Sequence, residues 1–177
     1  MNNLFKDCLG ERFNELAPVV QQAHHGSTRL EGEASVHRGN RLAQWICHLF
    51  GMPPEAKACR LIVTGHHDAN IMLWNRYFDD YPMNSYFYKC GDYIIERLGP
   101  IHLLMKLDVN EGALTYSLEK TRILGIPIPR WMAPRVYAVE QQVNDKYRFS
   151  VDVSIPLVGH LVGYLGDLSV ETLASPS

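Results

Sequence analysis

The sequence predicts a mainly β protein with N-terminal helices, an α+β arrangement built on a curved antiparallel meander. Three observations support it. Short runs of β-branched and aromatic residues fill the chain after Cys59, turn residues separate these runs, and no alternation of strands with long helices occurs. Because about 8–10 consecutive strands would curl, we expect a calycin-like barrel or half-barrel, with the helices packed at one end or inside.

The expected strands are joined by short turns such as Gly91-Asp92, Gly99-Pro100 and Asn144-Asp145, which favour antiparallel hairpins. The clearest alternation of apolar and polar residues covers 147–155, where one face of the strand is apolar and the other is wet. The predicted strands cover residues 30–39, 59–66, 70–78, 83–89, 93–98, 101–109, 113–123, 135–143, 147–155 and 158–168.

Helical spacing of apolar residues predicts helices in two regions. Residues 2–25 form two short helices, because Gly10 and Pro18 interrupt the pattern, and residues 41–50 form another that ends before Gly51. We expect a single barrel-like domain over residues 1–170, followed by a small, polar and flexible tail at 171–177.

Composition limits the function. The net charge is −2 and no block of Lys or Arg occurs, so neither a nucleic-acid partner nor an anionic-membrane footprint is expected. No signal peptide and no transmembrane segment are recognisable, which favours a cytoplasmic protein. The four scattered cysteines are expected to be reduced thiols.

The segment 121–134 is unusual because it is proline-broken and yet apolar. Pro127 and Pro129 exclude a helix or a central strand. Surface loops are normally polar, so we expect this segment to act as a gate or a docking loop through Ile126, Ile128, Trp131 and Met132.

Candidate ligand-binding residues come from charged groups placed among apolar ones. Trp74 and Arg76 share one strand face, and Glu96 and Glu140 are the candidate partners of the arginine. Such a pair is either a buried structural ion pair, which is favoured, or an anion anchor at the bottom of an apolar pocket. The other candidates are Arg38, His160 and Tyr164.

Sites of other kinds are not predicted. The pairs His24-His25 and His66-His67 lack metal-ligand spacing, so we expect surface turn histidines, no metal and no cofactor. A phosphate loop, a dinucleotide fingerprint and a nucleophile elbow are absent from the sequence.

A set of motifs runs along nearly the whole chain: Leu9-Gly10-x-x-Phe13, Val36-x-Arg38-Gly39, Leu49-Phe50-Gly51-Met52-Pro53, Trp74-x-Arg76-x-Phe78, Glu96-Arg97-Leu98-Gly99-Pro100, Leu124-Gly125-Ile126-Pro127-Ile128-Pro129, Arg148-Phe149-x-Val151 and Tyr164-x-Gly166-x-Leu168. Together these motifs resemble the bacterial domain-of-unknown-function family 4166. The resemblance implies a stand-alone protein or a partner of a saccharopine-dehydrogenase-like domain, accessory to a reductase. The chain departs from the family pattern at His66-His67 and at residues 79–82.

Three functions remain open. The first is a non-catalytic domain that binds an apolar or amphipathic small molecule, of fatty acyl, isoprenoid or polyketide-like type. The second is a cofactor-independent isomerase or cyclase that uses Arg76, Glu96 or Glu140. The third is a protein–protein interaction module that docks through the apolar connector.

Overall fold

The computed structural model describes residues 3–67 and 70–173, and these confirm the mainly antiparallel β fold. The helical elements are α1 (Leu4–Leu9), a 3-10 helix (Gly10–Glu15), α2 (Pro18–Ala23) and α3 (Arg41–Leu49). The strands are β1 (Ser27–Arg38), β2 (Ala56–His67), β3 (Ile71–Phe78), β4 (Tyr81–Cys90), β5 (Tyr93–Leu98), β6 (Ile101–Asn110), β7 (Ala113–Ile123), β8 (Ile126–Pro127), β9 (Arg135–Val143), β10 (Lys146–Ile155) and β11 (Gly159–Leu173).

Ten of the described strands form a closed barrel, and β8 is an extra strand outside the circuit. Consecutive strands pair antiparallel from β1 to β7, then β9, β10 and β11 follow, and the ladder between β11 and β1 closes the ring. Closure leaves no unpaired edge along most of the sheet. The expected meander is therefore confirmed as a full barrel.

The barrel wall is weakest between β7 and β9. These strands pair only over Leu114–Ser117 and Tyr137–Glu140, after which β7 pairs instead with β8. Pro127 can belong to β8 because an edge strand tolerates a residue without an N–H. The sequence did not predict this two-residue strand, which turns the start of the apolar connector into a small hairpin.

The N-terminal helices close one end of the barrel. The Arg12 guanidinium donates to Asp108 at 2.5 Å, and the Ala17 amide donates to the Gly112 carbonyl at 2.9 Å, which ties the helices to β6 and to the β6–β7 turn. Three helices are present where two were predicted, because the chain tightens into a 3-10 helix after Gly10 and restarts at Pro18, the first residue of α2.

At the opposite end, α3 lies beside the open mouth. Asn40 caps it by accepting a hydrogen bond from the Ala43 amide at 3.0 Å, and Ala43 and Cys47 are its buried residues. The predicted helix at 41–50 is confirmed. Its remaining apolar face, Leu42, Trp45 and Leu49, is exposed.

Several strand ends differ from the sequence prediction by one to five residues, most of all at the pairing of β1 with β11. β1 begins at Ser27 and β11 continues to Leu173, because Ser27–Arg29 pair with Glu171–Leu173. The ordered strand thus extends three residues beyond the predicted start of the tail, and the rest of the proposed tail, 174–177, lies outside the described residues. In the described part of the chain, no helix has the length and apolarity needed to cross a membrane.

Candidate functional site

The interior of the barrel contains a cavity of about 370 Å³ that reaches the surface at the open end. Its outer part is bounded by α3 on one side and by the connector on the other. The wall here is apolar and includes Trp45, Leu49, Leu98, Ile101, Leu103, Ile123, Ile128, Met132, Pro134, Val151, Val153 and Ile155. A volume of this size lies within the range of small-molecule sites.

An ion pair lies at mid-depth in this cavity. Arg76 on β3 donates to Glu96 Oε1 on β5 at 2.7 Å and also to the hydroxyl of buried Ser85 on β4. Burial is the largest influence and would lower the pKa of Arg76, but the charge and hydrogen bond of Glu96, together with Tyr164 and Tyr147, outweigh it and the pKa is raised. The Nε atom of Arg76 has no hydrogen-bond partner among the described residues. Of the two predicted partners of Arg76, Glu96 therefore forms the ion pair and Glu140 does not, and the Nε donor of Arg76 is left over.

A second polar group forms the floor. Glu140 on β9 accepts from Tyr116 Oη at 2.7 Å, and its other oxygen lies 2.5 Å from His24 Nε2. Burial would raise the pKa of Glu140, but the charge and hydrogen bond of His24 and the hydroxyls of Tyr116 and Tyr147 hold it below its ordinary value. Burial, and then the charge of Glu140, raise the pKa of both tyrosines. The floor is therefore a carboxylate held by neutral phenols and an imidazole.

His24 is buried, which corrects the expectation of a surface turn histidine. Its ring stacks on Phe5 at a centroid distance of 4.0 Å and on Trp74 at 5.6 Å, and its carbonyl accepts from Asn3 Nδ2 at 2.7 Å. The end of α2 turns this ring into the barrel, so it joins the helical plug to Glu140. The sequence prediction missed this because the partners are 116 positions apart.

The other histidines behave differently. His66 Nδ1 forms a hydrogen bond of 2.9 Å with Ser27 Oγ. Burial, and then the charges of the neighbouring histidines, lower the pKa of His67 to about 3. His67 is therefore neutral. Among residues 3–67 and 70–173, no group of three or more His, Cys, Asp or Glu side chains is arranged to hold a metal ion.

Most predicted ligand-binding residues meet in the cavity. Trp74, Arg76, Glu96, Glu140 and Tyr164 all line it. Burial raises the pKa of Tyr164 to about 12, while Arg76 opposes that shift. The phenol is therefore neutral and can donate or accept a hydrogen bond.

Two predicted residues lie elsewhere. Arg38 donates through Nε to the Pro53 carbonyl at 2.9 Å and also to the Met52 carbonyl, which fixes the loop after α3. His160 Nδ1 lies 3.2 Å from Asp152 Oδ2 on the outside of the barrel, because a bulge at Val153/Ser154 shifts the register of β11. Neither lines the cavity.

The gate residues divide into two groups. Ile128 and Met132 line the cavity, whereas Ile126 and Trp131 point to solvent. Tyr116 and Tyr147 line the floor and were not predicted as site residues. The sequence carried a signal for both tyrosines, because each lies on the inward face of a strand in which apolar and polar residues alternate, and a buried hydroxyl there needs a hydrogen-bond partner.

Comparison with known proteins places the chain in a family. The model described as "Domain of unknown function (DUF4166)" matches residues 16–168, so the chain belongs to that family. Among solved structures, it is similar to the crystal structure of Rv2717c from M. tuberculosis, with 11% identity, a TM-score of 0.46, and coverage of 88% of this chain and 99% of that one. No curated protein matches the chain.

Proposed function

We propose that the barrel binds a neutral amphipathic small molecule, with its hydrocarbon part toward the mouth and a polar group at the floor. The supporting observation is the polarity gradient of the cavity. Its outer wall is apolar, whereas Arg76, Glu96, Glu140 and three tyrosines converge toward its closed end. An apolar pocket with a few convergent polar groups is the usual form of a small-molecule site.

The charges of the inner cavity favour a neutral head group over a carboxylate. Arg76 is already neutralised by Glu96, and Glu140 carries a further negative charge beside His24. A ligand carboxylate would therefore enter a region with no net positive charge, where repulsion is poorly screened. A hydroxyl or carbonyl can instead use the spare donor at Arg76 Nε and the Tyr164 phenol. This argues against the anion-anchor interpretation of Arg76.

The apolar wall suits a flexible or branched hydrocarbon. Val151, Val153 and Ile155 present one continuous face of β10, and Ile128 and Met132 approach it from the connector. The connector would act as the gate, since it is the segment that joins β7 to β9 where their pairing stops. Isoprenoid, fatty acyl and polyketide-like alcohols or ketones fit this description.

Binding of matched ligands tests the proposal. The full chain is titrated with 1-dodecanol, dodecanoate and dodecane at neutral pH, and the fluorescence of cavity-lining Trp74 and Trp45 reports binding. We expect the alcohol to bind at least about tenfold more tightly than the carboxylate. Tighter binding of dodecanoate would support the anion anchor instead, and binding of none of the three would count against a ligand site.

Variants of the inner wall sharpen the test. Val151→Asp places a charge in the hydrocarbon channel and should abolish binding of dodecanol. Tyr137→Ser, at an exposed position on β9, serves as the matched control and should leave binding unchanged.

A second candidate function is acid–base catalysis. The observation in its favour is Glu140, an ionised carboxylate at the end of the cavity with hydrogen bonds to Tyr116 and His24. Such a group could accept a proton from a bound ketone in an isomerase or cyclase. If so, Glu140→Gln would abolish turnover of the ketone while preserving its binding. If it preserves turnover, Glu140 is not the base.

The wider setting remains a prediction. A dehydrogenase partner domain, which the family resemblance implies, and a cytoplasmic location both stay predictions. Co-purification of the full chain with a reductase from its own cells would test the first, and cell fractionation would test the second.

A further inference from the structure

The mouth of the barrel carries leucines at positions where folding alone would favour other residues. Leu124 lies at the tip of the β7–β8 hairpin with φ 53°, and Leu157 lies in the β10–β11 turn with φ 70°. Both backbones are left-handed, a conformation in which Gly, Asn and Asp are favoured over leucine. Leu124 is 78% exposed and Leu157 is 100% exposed, so packing does not explain either.

The closed end of the barrel uses different residues in the same conformation. There the left-handed turn positions are occupied by Glu111, Asn144, Asp145 and Gly91. At the mouth end, Asp79 and Gly99 hold the same conformation in the β3–β4 and β5–β6 turns. Among the described residues, leucine takes this conformation at positions 124 and 157 alone, and both turns lie at the mouth.

Other exposed apolar side chains extend this rim. On α3, Trp45 is 62% exposed beside Leu42 and Leu49, and on the connector Trp131 is 69% exposed beside Met132. Hydrogen bonds join the parts, because the Asn40 side-chain amide donates to the Val158 carbonyl and the Leu124 backbone amide donates to the Pro100 carbonyl. We define the mouth rim as Leu42, Trp45, Leu49, Leu124, Ile126, Trp131, Met132 and Leu157.

Positive charge accompanies the rim. Residues 120–139 contain Lys120, Arg122, Arg130 and Arg135 and no acidic residue. Arg135 pairs with Ser154 near the Leu157 turn, and exposed Arg41 begins α3. Among the described residues, none of these five cations forms a salt bridge. Acidic residues at this end include Asp79 and Asp80 in the β3–β4 turn, which is not adjacent to the connector, and exposed Glu55 in the loop after α3. Four of the five cations therefore lie on the connector side of the mouth, away from these carboxylates.

We infer that the mouth rim docks on the surface of an anionic lipid bilayer. Leucines at turn tips would insert among the acyl chains, tryptophans prefer the headgroup level, and arginines meet the lipid phosphates. A bilayer is favoured over a protein partner because the rim surrounds the cavity opening on several elements, with dispersed cations that match a uniformly negative surface. A bilayer could also supply the cavity's ligand directly.

This inference departs from the sequence-level expectation that an anionic-membrane footprint is absent. The cations do not form a block along the chain, since apolar and proline residues separate them. The fold brings them to the same end of the barrel. The inference concerns the rim alone and does not depend on the ligand class proposed for the cavity.

Flotation of the full chain with vesicles tests the inference. Vesicles of phosphatidylcholine alone are compared with vesicles that contain about 30 mol% phosphatidylglycerol, at low and at high salt. We expect flotation with the anionic vesicles, a loss of it at high salt, and a shift of Trp131 fluorescence to shorter wavelength.

The decisive variant is Leu124→Asn combined with Leu157→Asn. Asparagine tolerates the left-handed backbone, so the melting temperature should stay the same or rise, while the bound fraction should fall by about tenfold. Ile71→Thr, at an exposed apolar position on the first residue of β3 near the closed end, is the control and should bind like the wild type.

Three results would overturn the inference. The first is the absence of flotation with either vesicle type. The second is equal flotation of the double leucine variant and the wild type. The third is a dimer in size-exclusion chromatography that the same variant dissociates, because the rim would then contact a second copy of the chain.

Discussion

The Arg76–Glu96 pair offers the sharpest test of how the barrel interior is held together. The side chains are only 12% and 14% exposed, and the two groups are 2.7 Å apart. Removing one partner, by Arg76→Met or by Glu96→Leu, leaves the other charge buried without its counter-ion. Breaking a buried pair in this way costs about 3–5 kcal/mol of unfolding free energy.

The structure places the expected value near the lower limit. Glu96 faces a cavity of about 370 Å³ that has room for water, and Arg76 would retain the Ser85 hydroxyl. We therefore expect each single variant to lose about 3 kcal/mol. The double variant, in which two apolar side chains replace the pair, should lose no more than about 2 kcal/mol, a coupling of about 4 kcal/mol.

Urea unfolding of the four proteins at pH 7 measures the coupling, provided that the slope with denaturant stays constant. The control is the Arg148–Asp167 pair on the outer surface, at 2.7 Å with 36% and 39% exposure, for which the coupling should be much smaller because solvent screens it. Equal coupling at the two pairs, or a double variant as unstable as both single variants together, would refute the reasoning.

Three further predictions concern the floor of the cavity and the ladder between β1 and β11. The pKa of Glu140 is lowered in the folded state, so the ionised carboxylate contributes its full stability above the unfolded pKa of 4.5. That contribution is lost as the pH falls through the folded pKa. The unfolding free energies of the wild type and of Glu140→Gln should therefore converge in acid. His24→Ala should cost about 3 kcal/mol, since it removes the stack on Phe5 and leaves Glu140 without its imidazole, while the exposed His48→Ala control should stay within about 0.5 kcal/mol in the same urea assay. Gly32→Ala should lower the melting temperature more than Ser35→Ala, because a Cβ at position 32 would lie 2.0 Å from the Asp167 carbonyl oxygen where β1 pairs with β11. Equal melting temperatures of the two variants would contradict that close approach.

The sequence predicted those features that depend on local periodicity. The alternation from Tyr147 to Ile155 correctly gave the inward face of β10, and the same alternation placed Arg76 beside Trp74 on the inner face of β3. The predicted partner Glu96 followed, because it is also a charge among apolar residues. Two charges of opposite sign that both face the interior of one barrel are expected to pair with each other.

Features that depend on tertiary contact were beyond the sequence. His24 follows a six-residue helix, and only the packing of that helix across the barrel end brings the ring to Glu140. The bulge before Ser154 turned His160 outward, and a bulge leaves no clear signal in the alternation. The hairpin at Leu124-Gly125 was hidden because leucine is not a typical residue at a left-handed turn position.

Native mass spectrometry of the freshly purified full chain tests the central claim most directly. The account predicts that a part of the protein retains a neutral small molecule, and that the ligand-free part takes up 1-dodecanol with a stoichiometry of one. Val151→Asp should abolish both signals. A spectrum with only the ligand-free mass, together with no uptake of dodecanol by the wild type, would contradict the account of the barrel as a binding site.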